Sequence, residues 1–206
     1  MKITKNVTPC FKRFRRQYCT KTPIYINHSS NPKNAPKYPF HTPTTPFQKA
    51  FLAVGSALAA FGNPDRADMV AILGETTGGI SLKMLQRKMK GDSTGRKILE
   101  EQPLIRDLKL DTLQSLPENS FGKMYYNFMK ERNFKVEERP KVRFLDEAEL
   151  AYIMTRYREV HDFWHILFGM ETTVVGEIGL KWVELLQTGL PMTYSSIRPL
   201  FGAYSV

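Results

Sequence analysis

DEAELAYIMTRYREVHDFWHILFG, residues 146–169, followed after Met170 by ETTVVGEIGLKWVELLQTG, residues 171–189, is the stretch that decides the fold. Asp146 with Glu149 three positions on reads as a capping-box-like helix start, with Asp in place of the usual Ser or Thr. The helical pattern then runs to about Phe168, where Gly169 supplies the stop. A second helix starts near Glu171 and Thr172 and runs to Gln187, closed by Gly189 and Pro191. So short a break between two long helices turns the chain back on itself, and the pair reads as an antiparallel hairpin.

The hairpin also carries the chemistry. Of four histidines, His28 and His41 lie near the N-terminus, while His161 and His165 sit four residues apart on the first helix of the hairpin. At about 100° per residue, Asp162 lies one step round from His161 and His165 falls between them, so all three share one arc. Glu177 follows His165 by twelve positions and returns beside it across the Gly169 break. Val174, Val175, Ile178 and Trp182 surround it with apolar neighbours. Imidazoles beside carboxylates in such surroundings read as a two-His, two-carboxylate metal site made of His161, Asp162, His165 and Glu177. That donor set suits zinc, and other divalent metals accept the same ligands. A plain core reading stands beside this one: each imidazole is simply hydrogen-bonded, and Asp162 holds His165 across one turn. Two rival chemistries fare worse. In the zincin pattern His-Glu-x-x-His the middle carboxylate is a general base, and Asp162 is one methylene too short for that role. An HD phosphohydrolase needs a further upstream histidine, which the balanced part of the chain lacks.

Outward from the hairpin, helix signals dominate from Thr44 onward. Thr45-Pro46 caps a helix that runs to Gly62-Asn63, and Asn63-Pro64 opens another to about Leu73. Gly78-Gly79 interrupts the chain before a stripe from Ile80 to Met89, and Pro117 starts a helix with Phe121, Met124, Tyr125, Phe128 and Met129 on one core-facing side. The expected fold class is all-α: a single-domain bundle of about six to eight helices, preceded by a disordered basic leader.

Charge separates leader from body. The chain has 30 Lys and Arg against 20 Asp and Glu, a formal charge of +10. All of that excess lies before Asp65, the first acidic residue, so the remainder is balanced and nucleic acid is not an expected partner. An acid-free stretch rich in Arg, Lys, Ser and Thr reads as a mitochondrial transit peptide, with Arg16-Gln17-Tyr18 before Cys19 as a candidate cleavage site. A basic arm that binds RNA is the alternative. Seven of the 13 prolines fall in the first 46 residues, which makes the end of this region a linker. Residues 1–45 are thus read as transit peptide and Pro-rich linker, and residues 46–206 as a helical metal-binding domain. Both cysteines, Cys10 and Cys19, lie in the leader, so stability rests on packing alone. The longest apolar run, Phe51 to Phe61, has 11 residues, against about 20 needed to span a bilayer.

His161-Asp162-x-x-His165 with Glu177, together with Asn63-Pro64-Asp65-Arg66-Ala67-Asp68, Leu73-Gly74-Glu75-Thr76-Thr77-Gly78, Arg156-Tyr157-Arg158-Glu159-Val160 and Gln187-Thr188-Gly189-Leu190-Pro191-Met192, resembles the mitochondrial ubiquinone (coenzyme Q) biosynthesis protein 4 family. The resemblance runs from about Pro46 to Met192. It implies an all-α protein peripheral to the matrix face of the mitochondrial inner membrane, working with other coenzyme Q biosynthesis proteins in a multisubunit complex and handling polyprenylated quinone precursors. It implies zinc on His161, Asp162, His165 and Glu177, which would also be the catalytic residues. The implied reaction is loss of the C1 carboxylate from 4-hydroxy-3-methoxy-5-polyprenylbenzoate to give a 2-methoxy-6-polyprenylphenol; a non-catalytic scaffold of the same assembly is the alternative. A polyprenyl tail requires an apolar path, for which Phe51, Leu52, Val54, Leu58 and Phe61 are candidates, although ordinary core is the favoured reading of each. Family members continue with further helical segments after Met192, so a C-terminally shortened domain is expected here.

Overall fold

Helix α7, Ala148–Phe168, is the member around which the others assemble, since the helices Gly79–Gly91, Phe121–Glu131 and Val174–Thr188 all pack against it. The computed structural model describes residues 35–63, 66–105, 108–135 and 139–195. Among these residues the order is α1 (Pro46–Gly62), α2 (Ala67–Thr77), α3 (Gly79–Gly91), α4 (Ser93–Glu101), α5 (Leu110–Leu113), α6 (Phe121–Glu131), α7, α8 (Val174–Thr188) and α9 (Pro191–Ser195), with no strand. The described residues form an all-helical single domain, as the sequence pattern predicts. No helix among the described residues is long and apolar enough to cross a membrane.

Local chemistry sets most boundaries. Thr45 and Gln48 form a reciprocal capping box, with Pro46 in the first turn of α1. The α6 helix begins at Phe121 rather than Pro117, because the Ser120 hydroxyl accepts the Lys123 N–H and so provides the cap. Asp146 does not cap α7, whose N-cap residue Glu147 makes no side-chain capping hydrogen bond. Its carboxylate is taken instead by Lys49, at 2.6 Å, and this pair ties α1 to the start of α7. The α4 helix, capped by Asp92 onto Gly95, is one the periodicity does not announce, being only nine residues long.

Leu82, Leu145, Leu150, Ile153, Met154, Tyr157 and Leu190 form the main core, with α7 at its centre. A smaller cluster of Ile105, Tyr125, Phe128 and Met129 lies between α6 and α7. The predicted α6 stripe is therefore core at its last three members, while Phe121 and Met124 are exposed at its edge. The packed body also begins before Pro46. The Tyr38 hydroxyl donates to the Leu145 carbonyl and His41 is buried, so residues read as linker are held on the segment before α7. Residues 1–34, with the transit-peptide reading and its cleavage motif, and residues 196–206 lie outside the described residues.

The α1 expectation needs correction. Phe51, Val54, Leu58 and Phe61 are exposed, as is Phe47, and only Leu52 of the named residues is partly covered. Its main partner is α2, and Ser56 is its one buried residue, so the large apolar side chains at spacings of four and three form an outer stripe instead of core.

A buried clamp sets the height of α7. Glu75 of α2 accepts hydrogen bonds from the Arg143 and Phe144 backbone N–H groups at 2.7 and 2.8 Å and from Arg158 at 2.8 Å. Arg158 also donates to the Ala71 and Pro140 carbonyls. Glu75→Ala strands a largely buried guanidinium and two backbone donors, so it is expected to destabilise the fold by about 3–5 kcal/mol. Urea unfolding should show a lower midpoint with an unchanged slope; a midpoint within experimental error of wild type contradicts the clamp.

Candidate metal centre

The site is built from the α7–α8 hairpin. Gly169 ends α7 in a left-handed conformation, with φ near 60°, which a side chain would strain. Thr173 then caps α8 by accepting the Gly176 N–H. Gly176 is needed for close approach, since an added Cβ would lie 2.0 Å from the Glu171 carbonyl oxygen. This tight entry places Glu177 in the first turn of α8, facing the histidines of α7.

His161, His165 and Glu177 converge, each offering a ligand atom within 4.8 Å of the others. Nε2 of His165 lies 3.1 Å from Oε1 of Glu177, and Nε2 of His161 lies 3.5 Å from Oε2. The imidazoles are perpendicular, with centroids 4.9 Å apart. Nδ1–H of His165 donates to the Met170 carbonyl at 2.9 Å, because a carbonyl can only accept; its Nε2 lone pair is therefore left for the cluster. That Nε2 is buried and lacks a hydrogen bond of proper geometry, even to the nearby Glu177. Phe128 stacks on the outer face of the ring and fixes its plane. Two neutral nitrogen donors and a carboxylate converging at a half-covered position fit a divalent cation such as zinc.

Asp162, the fourth residue marked by the sequence, points elsewhere. Its carboxylate pairs with Arg139, which reaches in from the segment before α7. The structure thus brings three of the four predicted residues together and places Asp162 one partner exchange away, on the neighbouring arc of α7.

Sequence reasoning misses Glu184. This residue of α8 has no exposed surface, accepts from Tyr157 Oη at 2.6 Å and Lys181 Nζ at 2.7 Å, and meets Nδ1 of His161 at 2.5 Å. A signal was present: Glu184 follows Glu177 by two helical turns and Tyr157 precedes His161 by one, so each shares a face with a predicted ligand.

Electrostatics follow the pairing. Burial opposes charge on Glu177, but the imidazoles of His161 and His165 beside it outweigh burial and hold the carboxyl well below the usual range. Burial likewise opposes ionisation of Glu184, yet His161 and Lys181 bring it down to about 2. Burial works against the His161 cation, while Glu177 and Glu184 raise its value above the ordinary 6.5. Tyr157 is pushed well above its usual range by burial and by the Glu184 charge.

Comparison with known proteins adds ancestry to this geometry. Residues 38–205 match a family model described as Coenzyme Q (ubiquinone) biosynthesis protein Coq4. The mitochondrial ubiquinone biosynthesis protein COQ4 homolog of Rattus norvegicus is 52% identical over 167 residues, covering 80% of this chain and 62% of that protein. The Danio rerio homolog is 50% identical over 157 residues, covering 75% and 58%. Homolog 2 of Culex quinquefasciatus is 48% identical over 162 residues, covering 78% and 72%. The chain thus spans about three-fifths of the length of the vertebrate relatives. A crystal structure of a Nostoc punctiforme protein, provisionally described as a ubiquinone biosynthesis protein, superposes with a TM-score of 0.58 at 25% identity, covering 79% of this chain and 76% of that one.

The charge states make a testable demand. A raised His161 value stabilises the folded metal-free protein fully below 6.5, and the benefit is lost as pH rises through the folded value. The stability advantage of wild type over His161→Gln, both without metal, is therefore expected to be largest near about pH 6 and to shrink toward about pH 9. Thermal midpoints across that range check this, and an advantage that grows with pH contradicts the assigned charges.

Proposed function

The chain belongs to the Coenzyme Q (ubiquinone) biosynthesis protein Coq4 family, and on that premise we propose that it acts in mitochondrial coenzyme Q biosynthesis as a metal-dependent decarboxylase. The substrate is 4-hydroxy-3-methoxy-5-polyprenylbenzoate and the product a 2-methoxy-6-polyprenylphenol. The observation that carries this reading is the convergence of His161, His165 and Glu177 around one point. The protein sits at the matrix face of the inner membrane, in a complex with other coenzyme Q biosynthesis proteins.

His161 and His165 present Nε2 and Glu177 presents its carboxylate to hold zinc or another divalent cation, with Asp162 available if it exchanges Arg139 for the ion. When bound, the cation supplies Lewis-acid polarisation of a substrate oxygen. Loss of carbon dioxide leaves an electron pair on the ring carbon, and a proton must reach that carbon. Glu177 and Glu184 suit the roles of ligand and counter-charge, and the proton comes from a site carboxyl group, which is left as carboxylate, or from water, which leaves as hydroxide. An open groove lined by Met124, Phe128, Arg132, Ile166, Met170 and Glu171 reaches His165. The rival reading, a scaffold that binds polyprenyl intermediates without turnover, draws on the exposed apolar stripe of α1.

The test is carbon dioxide release from a carboxyl-labelled, short-chain prenylated substrate by the purified protein with zinc. Release is expected to need the metal and to fall at least 100-fold in Glu177→Gln, roughly the loss of one transition-state interaction of about 2.7 kcal/mol. Zinc content should fall more in Glu177→Gln than in Asp162→Asn, whose native carboxylate is already engaged by Arg139. Substrate binding without release favours the scaffold.

A further inference from the structure

We infer that Glu184 is the residue that sets the proton position on His161, and that Tyr157 and Lys181 set the orientation of Glu184, so that these three side chains decide whether His161 can act as a ligand. The inference rests on the metal reading above and concerns residues outside the predicted ligand set.

The geometry leaves Glu184 few choices. It has no exposed surface, so water cannot satisfy it, and its two oxygens are divided between different partners. Oε2 receives the Tyr157 hydroxyl at 2.6 Å and the Lys181 ammonium at 2.7 Å. Both are donors at these distances, so Oε2 must accept, and Oε1 is left facing Nδ1 of His161 at 2.5 Å. An ionised carboxylate oxygen only accepts, so Nδ1 must carry the proton. In the neutral ring the lone pair then falls on Nε2, the atom that faces Glu177 and His165. A carboxylate behind a ligating imidazole also makes the ring a better donor, as is usual in metal sites. His165 reaches the same tautomer through the Met170 carbonyl, so the two rings are set alike by different means.

Glu184→Gln puts an amide in place of the carboxylate, with one oxygen that accepts and an NH2 that only donates. Tyr157 and Lys181 need an acceptor, so the amide oxygen turns to them and the amide NH2 faces Nδ1 of His161. That nitrogen must then accept, which moves the ring proton to Nε2, the ligand atom, where it blocks the cation. Tyr157→Phe removes one of the two donors and loosens this orientation while leaving the carboxylate in place. Glu75→Gln is the control, because Glu75 is similarly buried but lies in the α2 clamp, away from the cluster.

The experiment measures zinc affinity by competition with a chromophoric chelator, and the His161 tautomer by nitrogen-15 NMR of the metal-free full chain. Glu184→Gln is expected to bind zinc about 10–100-fold more weakly than wild type and to show the Nε2–H tautomer at His161. Tyr157→Phe should bind a few-fold more weakly, and Glu75→Gln like wild type. Wild-type affinity in folded Glu184→Gln, or an equal loss in Glu75→Gln, overturns the inference. If Glu184→Gln does not fold, wild-type affinity and tautomer in Tyr157→Phe overturn it instead. Wild type that binds no zinc defeats the metal reading itself, an outcome separate from these.

Discussion

A carboxylate sealed from water must find donors within the protein or give up its charge, and this fold satisfies that demand at several buried glutamates. Glu75 gathers Arg158 and two backbone N–H groups, Glu159 accepts the Ile105 N–H at 2.8 Å, and Glu184 gathers Tyr157, Lys181 and His161. Each of these connections has one end on α7 or reaches it through a single side chain. The helix is therefore held at fixed height and rotation by charge-assisted bonds as well as by Leu150, Ile153 and Met154 in the core.

The same constraint separates the two sides of the candidate metal centre. Behind the clustered nitrogens, Glu184 holds His161 and the Met170 carbonyl holds His165, on whose ring Phe128 stacks. Toward the outside, Glu177 is about two-fifths exposed, so the cluster is rigid behind and approachable in front. A site closed on all sides would serve only to hold the fold together; one with an accessible ligand leaves room for a reacting oxygen.

Much of this was legible in the residues, and the failures have physical causes. Thr45-Pro46 with Gln48, Gly169 and Gly189 act locally, so their helix ends could be read directly. Asp146 looked like a cap by spacing, but Lys49, distant in sequence, claimed it. Asp162 shares the arc of the histidines, and its pairing with Arg139, which lies 23 positions earlier, is a contact that spacing along one helix does not show. Helical periodicity gave the α1 stripe its face but could not say what, if anything, lies against it. Glu184 was hidden because a glutamate in a helix reads as solvated until a tyrosine and a lysine are seen to enclose it.

The Glu75 clamp carries a consequence for the order in which the molecule assembles. Its backbone donor at Arg143 lies 68 residues further along the chain, and its guanidinium partner lies 83 residues on. Synthesis delivers α1 and α2, which pack against each other, long before either arrives, and until then the Glu75 carboxylate stays hydrated. Because α7 supplies both the missing guanidinium and the two imidazoles, the clamp and the cluster are completed by the same late-arriving helix.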